Sequence, residues 1–129
     1  MLIYLAAPYS HPNEKIRNLR MFATTAVACS MTQRGLVVYS PLTYAGALGG
    51  ELLMPNEKWL PHGMLFLSRC TLLSVLQLPG YETSAGIMAE MSLAGNMNIP
   101  IHQFIEADIL PIIGQERWNA LKTGVQCNG

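Results

Sequence analysis

Charge is scarce in this chain of 129 residues: 12% of them are charged, and eight Lys and Arg balance eight Asp and Glu. With a formal net charge of zero, there is no basic surplus to displace counterions from phosphates, which excludes a general nucleic-acid binder. Half of the residues are hydrophobic, which excludes an intrinsically disordered chain, since that needs low hydrophobicity and high net charge. Cysteine is also rare. Cys29, Cys70 and Cys127 are odd in number and form no CxxC pair, so they encode neither a disulfide framework nor a zinc site. Reduced thiols are expected, two of them in the core. No run approaches the ~18 continuous apolar residues of a membrane span. The opening Met1-Leu2-Ile3-Tyr4-Leu5-Ala6-Ala7-Pro8 lacks the basic start and the length of a signal peptide. A cytoplasmic protein without membrane contact is expected. The GxGxxG, GxxxxGK[ST] and GxSxG signatures are missing, and with them the common dinucleotide, nucleoside triphosphate and hydrolase-elbow sites. His11, His62 and His102 are far apart and show no ligand spacing, so no metal site is expected.

What is present is an alternation. A chain of this length makes one domain. Leu2–Ala6 is an apolar run without polar alternation, which reads as a strand buried on both faces and stopped by a turn at Pro8. From Asn13 to Arg34, apolar residues recur at helical spacing, and Gly35 stands where a C-terminal cap glycine belongs. Leu36–Ser40 reads as a second buried strand. Leu42–Pro55 reads as an irregular loop with room for one short helix. Glu57–Arg69 is helical, with Pro61 near its start. Thr71–Leu78 is a third buried strand, Thr83–Met97 a helix capped by Ser84, and Pro100–Ile105 a fourth strand. The segment from Asp108 onward is less distinct, with Gly114–Lys122 as a final helix. The eight methionines read as core filler. Strands alternating with helices predict a Rossmann/flavodoxin-like three-layer sandwich around a mostly parallel sheet of four to five strands. Ligands bind such sheets at the carboxyl ends of the strands.

Among the carboxylates, Glu90 stands apart. It lies in an otherwise apolar helix, so burial is expected, and an unpaired buried carboxylate is costly. Helical side chains lean toward the helix N-terminus. Glu90 therefore leans over Gly86, which has no side chain and leaves an open niche. Ser84 sits at the helix N-terminus, where free N–H groups suit an anion such as a phosphate. A plainer reading stays open: a glutamate on a partly exposed helix, with a glycine near it by chance.

The segment Ile3-Tyr4-Leu5-Ala6-Ala7-Pro8-Tyr9-Ser10 resembles the opening strand and turn of the nucleoside 2-deoxyribosyltransferase-like superfamily, which includes deoxynucleoside 5'-monophosphate N-glycosidases. Leu78-Pro79-Gly80-Tyr81-Glu82-Thr83-Ser84-Ala85-Gly86, continuing to Glu90, Ala94 and Asn98-Ile99-Pro100-Ile101, is similar to its second signature. In that signature, Asp or Ser is followed by any residue, Gly, three further residues and then Glu. Val38-Tyr39-Ser40-Pro41 also matches. The likeness covers roughly residues 2–105, and the nearest branch is uncharacterised and frequent in phages and prophages. It implies that Glu90 attacks C1' of a deoxyribose and releases the base, leaving a glycosyl-enzyme for water or a second base to resolve. It implies that Tyr4 orients that carboxylate and that Ser84 and Gly86 contact the sugar or its 5' group. Pro8, Ser10 and Ser40 would line the pocket. Ser84 in place of Asp suits a phosphate. Arg17 or Arg20 could reach it, although both read equally well as solvated helix charges. Two departures stand out: Gly63 occupies the position of an acid that helps the base leave, and Thr71 replaces an aspartate before the next strand.

Three readings follow. The first is a nucleotide or nucleoside N-glycosidase or deoxyribosyltransferase, with His62 or another group replacing the missing acid. The second is a module that binds a nucleotide or nucleotide-derived signal without cleaving it. The third is a phage accessory protein acting through its apolar surface. No cofactor is required by any motif. Subunits of the resembling superfamily pair and complete each other's sites. That implies a homodimer or higher homo-oligomer, consistent with the low net charge, in which the tail, residues 106–129, donates a residue.

Overall fold

The computed structural model describes residues 1–126. Within them, β1 (Leu2–Ala6), β2 (Val37–Tyr39), β3 (Leu72–Leu76) and β4 (Ile101–Phe104) form one sheet in the order β2-β1-β3-β4, and all pairings are parallel. The helices are α1 (Glu14–Gln33), α2 (Pro41–Leu48), α3 (Asn56–Leu67), α4 (Ala85–Asn96), α5 (Glu106–Ile113) and α6 (Gln115–Gln126). This is the expected Rossmann/flavodoxin-like α/β sandwich.

The sheet is covered on both faces, which explains the unbroken apolar run of β1. Successive side chains of a strand point to opposite faces. Ile3 and Leu5 join Leu76 and Leu78 in a core closed by Ala23 and Val27 of α1, Ile109 and Ile113 of α5, and Trp118 and Leu121 of α6. Tyr4 and Ala6 join Leu73 and Val75 on the other face, against Leu67 of α3 and Ile87 and Ala94 of α4. Tyr4 thus faces the helix that carries Glu90.

Local signals set the helix ends. Asn13 Oδ1 accepts from the Lys15 N–H at 2.8 Å and opens α1. Gly35, with φ at +85°, turns the chain from α1 into β2. Ser84 Oγ accepts from the Ile87 N–H at 3.2 Å and opens α4. No helix among the described residues is long and apolar enough to cross a membrane.

Three expectations need correction. β2 is an outer strand, so it is shorter than Leu36–Ser40 and not fully buried; Val37 is 62% exposed. Residues 42–55 are more ordered than a loop. Ser40 caps α2, Pro41 takes the first helical position, and a 3₁₀ turn follows at Gly50–Leu52. Pro61 is the sixth residue of α3, which continues through it. The core extends well past residue 105: Ile109, Ile113, Trp118 and Leu121 are buried against the chain's own sheet and α1. Of the cysteines, Cys70 is buried and Cys29 exposed, while Cys127 lies outside the described residues.

Candidate active site at the strand carboxyl ends

The chain leaves β1 for β2 on one side, whereas β3 pairs with β1 on the other. The connections after β1 and β3 diverge there, and a crevice opens at the carboxyl ends of the strands. It is a cleft of about 1370 Å³. Pro8 and Ser10 line it after β1, Arg20 from α1, His62 and Gly63 from α3, and Ser84 and Gly86 from the start of α4.

Glu90 and Tyr4 lie just beneath this surface. Glu90 is 6% exposed and Tyr4 1%. The Tyr4 hydroxyl and the Glu90 carboxylate are buried close enough for each to shift the other's titration. Burial disfavours the charged carboxylate and pushes its pKa up to about 7, with the nearby Tyr4 hydroxyl opposing that rise. Burial and the Glu90 charge drive the Tyr4 phenol far above its usual value, so it stays protonated. At Gly86, one turn before Glu90, the only atom near the position of an added Cβ is Ser84 Oγ, at 3.8 Å. The niche that the Gly-x-x-x-Glu spacing suggests is open.

Gly63 has a physical reason that the sequence does not reveal. A Cβ there would lie 2.7 Å from the Tyr4 hydroxyl oxygen. Tyr4 fills the space that a side chain at position 63 would need. Thr71 is a different matter. It precedes β3, at the amino ends of the strands and opposite the cleft, where its Oγ1 accepts from the Leu2 N–H at 2.9 Å. Position 71 therefore lies away from the cleft.

Arg20 is the other buried polar group of the site. It is 5% exposed. Nη1 donates to the Ser10 carbonyl at 2.9 Å and Nη2 to the Pro79 carbonyl at 3.3 Å, while Nε is buried without a hydrogen-bond partner. No carboxylate pairs with it among the described residues. Burial pulls its pKa down from the ordinary value, but a guanidinium remains charged. Gly80, at φ +93°, makes room for it: an added Cβ would lie 2.6 Å from Nη2. Arg17 also lines the cleft and is held by the carbonyls of His11 and Pro12.

The structure does not bring all the expected residues into the cleft. Ser40 is buried beside it, and its hydroxyl accepts from the Thr43 N–H and donates to Thr43 Oγ1. Its neighbours Pro41, Leu42 and Thr43 line the cleft. His62 belongs to an aromatic wall. Its ring stacks on Tyr44 at 5.8 Å and meets Trp59 edge-on at 5.5 Å. Tyr39 and Trp59 line the cleft beside it. Their role was hidden in sequence because each belongs to a different element. Val125 of α6 also reaches the cleft, so the tail contributes to its own chain's site.

Residues 1–106 match the family described as Domain of unknown function (DUF1937). The chain belongs to the DUF1937 family. No curated protein matches it. The matched segment includes every strand and the Tyr4, Gly63 and Glu90 positions. In this DUF1937 chain α6, with Val125, lies beyond it. Beside the DUF1937 cleft lie a buried carboxylate whose pKa burial raises and a buried phenol close to it, and a buried guanidinium lines it. Among the described residues no three His, Cys, Asp or Glu side chains gather as a metal site.

Proposed function

We propose that this DUF1937 protein breaks or exchanges the N-glycosidic bond of a nucleotide or nucleoside, with Glu90 as nucleophile. The observation that carries the reading is the buried Glu90–Tyr4 pair beneath an open cleft. A carboxylate held near neutrality by burial is half ionised at pH 7, and desolvation makes its charged form reactive. Glu90 attacks C1' through the gap left by Gly86, the base leaves, and water or a second base resolves the glycosyl ester with net retention. Tyr4 fixes the carboxylate and stabilises its charge. The resemblance to the nucleoside 2-deoxyribosyltransferase-like superfamily supports these roles.

Arg20 and the start of α4 favour a substrate that carries a phosphate. Both line the cleft, and helix N-termini and guanidinium groups attract anions. Hydrolysis is favoured over exchange because Ser84 replaces an aspartate. A homodimer or higher homo-oligomer is part of the same proposal. A second reading, a nucleotide-binding protein without turnover, is favoured by Gly63, which leaves no acid beside Tyr4.

The test is base release, followed by chromatography, from a panel of deoxynucleoside monophosphates and nucleosides, with Glu90→Gln as control. Release lost in the control is the expected result. Saturable binding without release from any substrate would replace the enzyme with the binding module.

A further inference from the structure

We infer that the leaving group is a cationic N-linked heterocycle, such as a pyridinium or an N7-alkylated purine, which departs as a neutral molecule. The inference rests on the reading that Glu90 attacks C1'. A neutral purine or pyrimidine leaves as an anion unless an acid protonates it, and such help is worth about 10²–10⁴ in rate. This cleft gives it little room to act. The Tyr4 hydroxyl lies 2.7 Å from the place of a Cβ at Gly63, so any side chain there would require Tyr4 or α3 to shift, and position 63 of this chain offers no acid. The Tyr4 phenol is buried beside Glu90, which holds its proton tightly and makes it a poor acid. His62 is about 100° further round the helix; it lines the cleft as part of an aromatic wall, with its ring packed on Tyr44, Trp59 and Phe66. The carboxylates that line the cleft, Glu14, Glu51 and Glu57, are solvent-exposed.

The same surfaces suit a cation. Tyr39 and Trp59 line the cleft, and aromatic rings attract positive charge over their faces. Three exposed carboxylates, Glu14, Glu51 and Glu57, line the cleft, partly balanced by Arg17 and Arg20. In the reaction, the Glu90 oxygen bonds to C1' as the C1'–N bond breaks. The bonding pair goes to nitrogen and cancels its charge, so no proton moves. Water then forms the C1'–OH bond, the Glu90–C1' bond breaks, and the proton of the water passes to solvent.

The experiment compares deoxyguanosine monophosphate with its N7-methyl derivative, two substrates that differ at one methyl group and one charge. Each rate is divided by the uncatalysed rate in the same buffer. The N7-methyl substrate should show an enhancement about 100-fold larger or more, lost in Glu90→Gln. A nicotinamide mononucleotide arm reads the same preference with a pyridinium. In the Tyr4→Phe, Gly63→Asp double variant, which removes the hydroxyl and supplies an acid, the preference should shrink. Equal enhancement of both guanine substrates, still dependent on Glu90, would overturn this inference and leave the glycosidase reading standing. Release from neither guanine substrate nor the pyridinium would overturn both.

Discussion

The Tyr4 hydroxyl and the α-carbon of Gly63 are so close that a single methyl group does not fit between them. Tyr4 is almost wholly buried in the packed core, so it has little freedom to yield. Three elements meet at this point: β1 supplies the phenol, α4 the carboxylate and α3 the glycine. Gly63→Ala should therefore destabilise the fold by ~1–3 kcal/mol, the usual range for overpacking. Tyr4→Phe should absorb most of that loss when the two are combined. Denaturant unfolding of both single variants and the double variant measures the coupling; additive losses would mean that the two residues do not meet.

Gly86 gives the opposite case. Its Cβ position is open, and Ala is the better helix former by about 1 kcal/mol. Gly86→Ala should leave stability unchanged or slightly raised, while base release drops because the methyl group stands between the cleft and Glu90. Thermal unfolding and turnover on the same preparation read the two effects separately. Full activity would place the route to Glu90 elsewhere.

The pH profile should carry the signature of Glu90. The nucleophile must be ionised, so kcat/KM should rise with pH through about 7. Tyr4 stabilises the charged form, so Tyr4→Phe should move that limb to higher pH. A limb in the ordinary carboxylate range in the unaltered protein would contradict the buried pair.

Stability follows the same group with a definite sign. The folded-state pKa of Glu90, about 7, lies above its ordinary value of 4.5. The folded state therefore binds the proton more tightly, and this contribution is complete below pH 4.5 and lost as pH rises through 7. At 1.36 kcal/mol per pKa unit, the loss is on the order of 3 kcal/mol. Glu90→Gln has no such term. Its melting temperature, compared with the unaltered protein, should improve between pH 4.5 and pH 8; a constant difference across that window would show that Glu90 is not desolvated.

Arg20 should separate phosphate recognition from recognition of the rest of the ligand. Hydrogen bonds to a charged group are worth about 1.5–3 kcal/mol, or roughly 10- to 100-fold in affinity. Arg20→Met should weaken a nucleoside monophosphate by that factor and the matching nucleoside much less, measured by calorimetry. Equal weakening of both would reduce Arg20 to a brace between the Ser10 and Pro79 carbonyls.

Much of the architecture is local and was legible in sequence. The unbroken run Leu2–Ala6 requires a strand covered on both faces, and the cap residues Asn13, Gly35 and Ser84 act through bonds within a few positions. The spacing of Gly86 and Glu90 is a property of one helix, so it too could be read directly. What the sequence did not determine is which distant groups share one space. Gly63 read as the loss of an acid, but packing makes it a vacancy required by Tyr4. Thr71 read as a second loss, and the parallel sheet puts it at the amino ends of the strands, away from the cleft. Arg20 looked equally suited to solvent until the loops after β1 and β3 closed over it, and the tail's apolar residues found their place only against α1. Local spacing is written along the chain. Excluded volume, and the loss of water around a charge, exist only once separate elements are packed together.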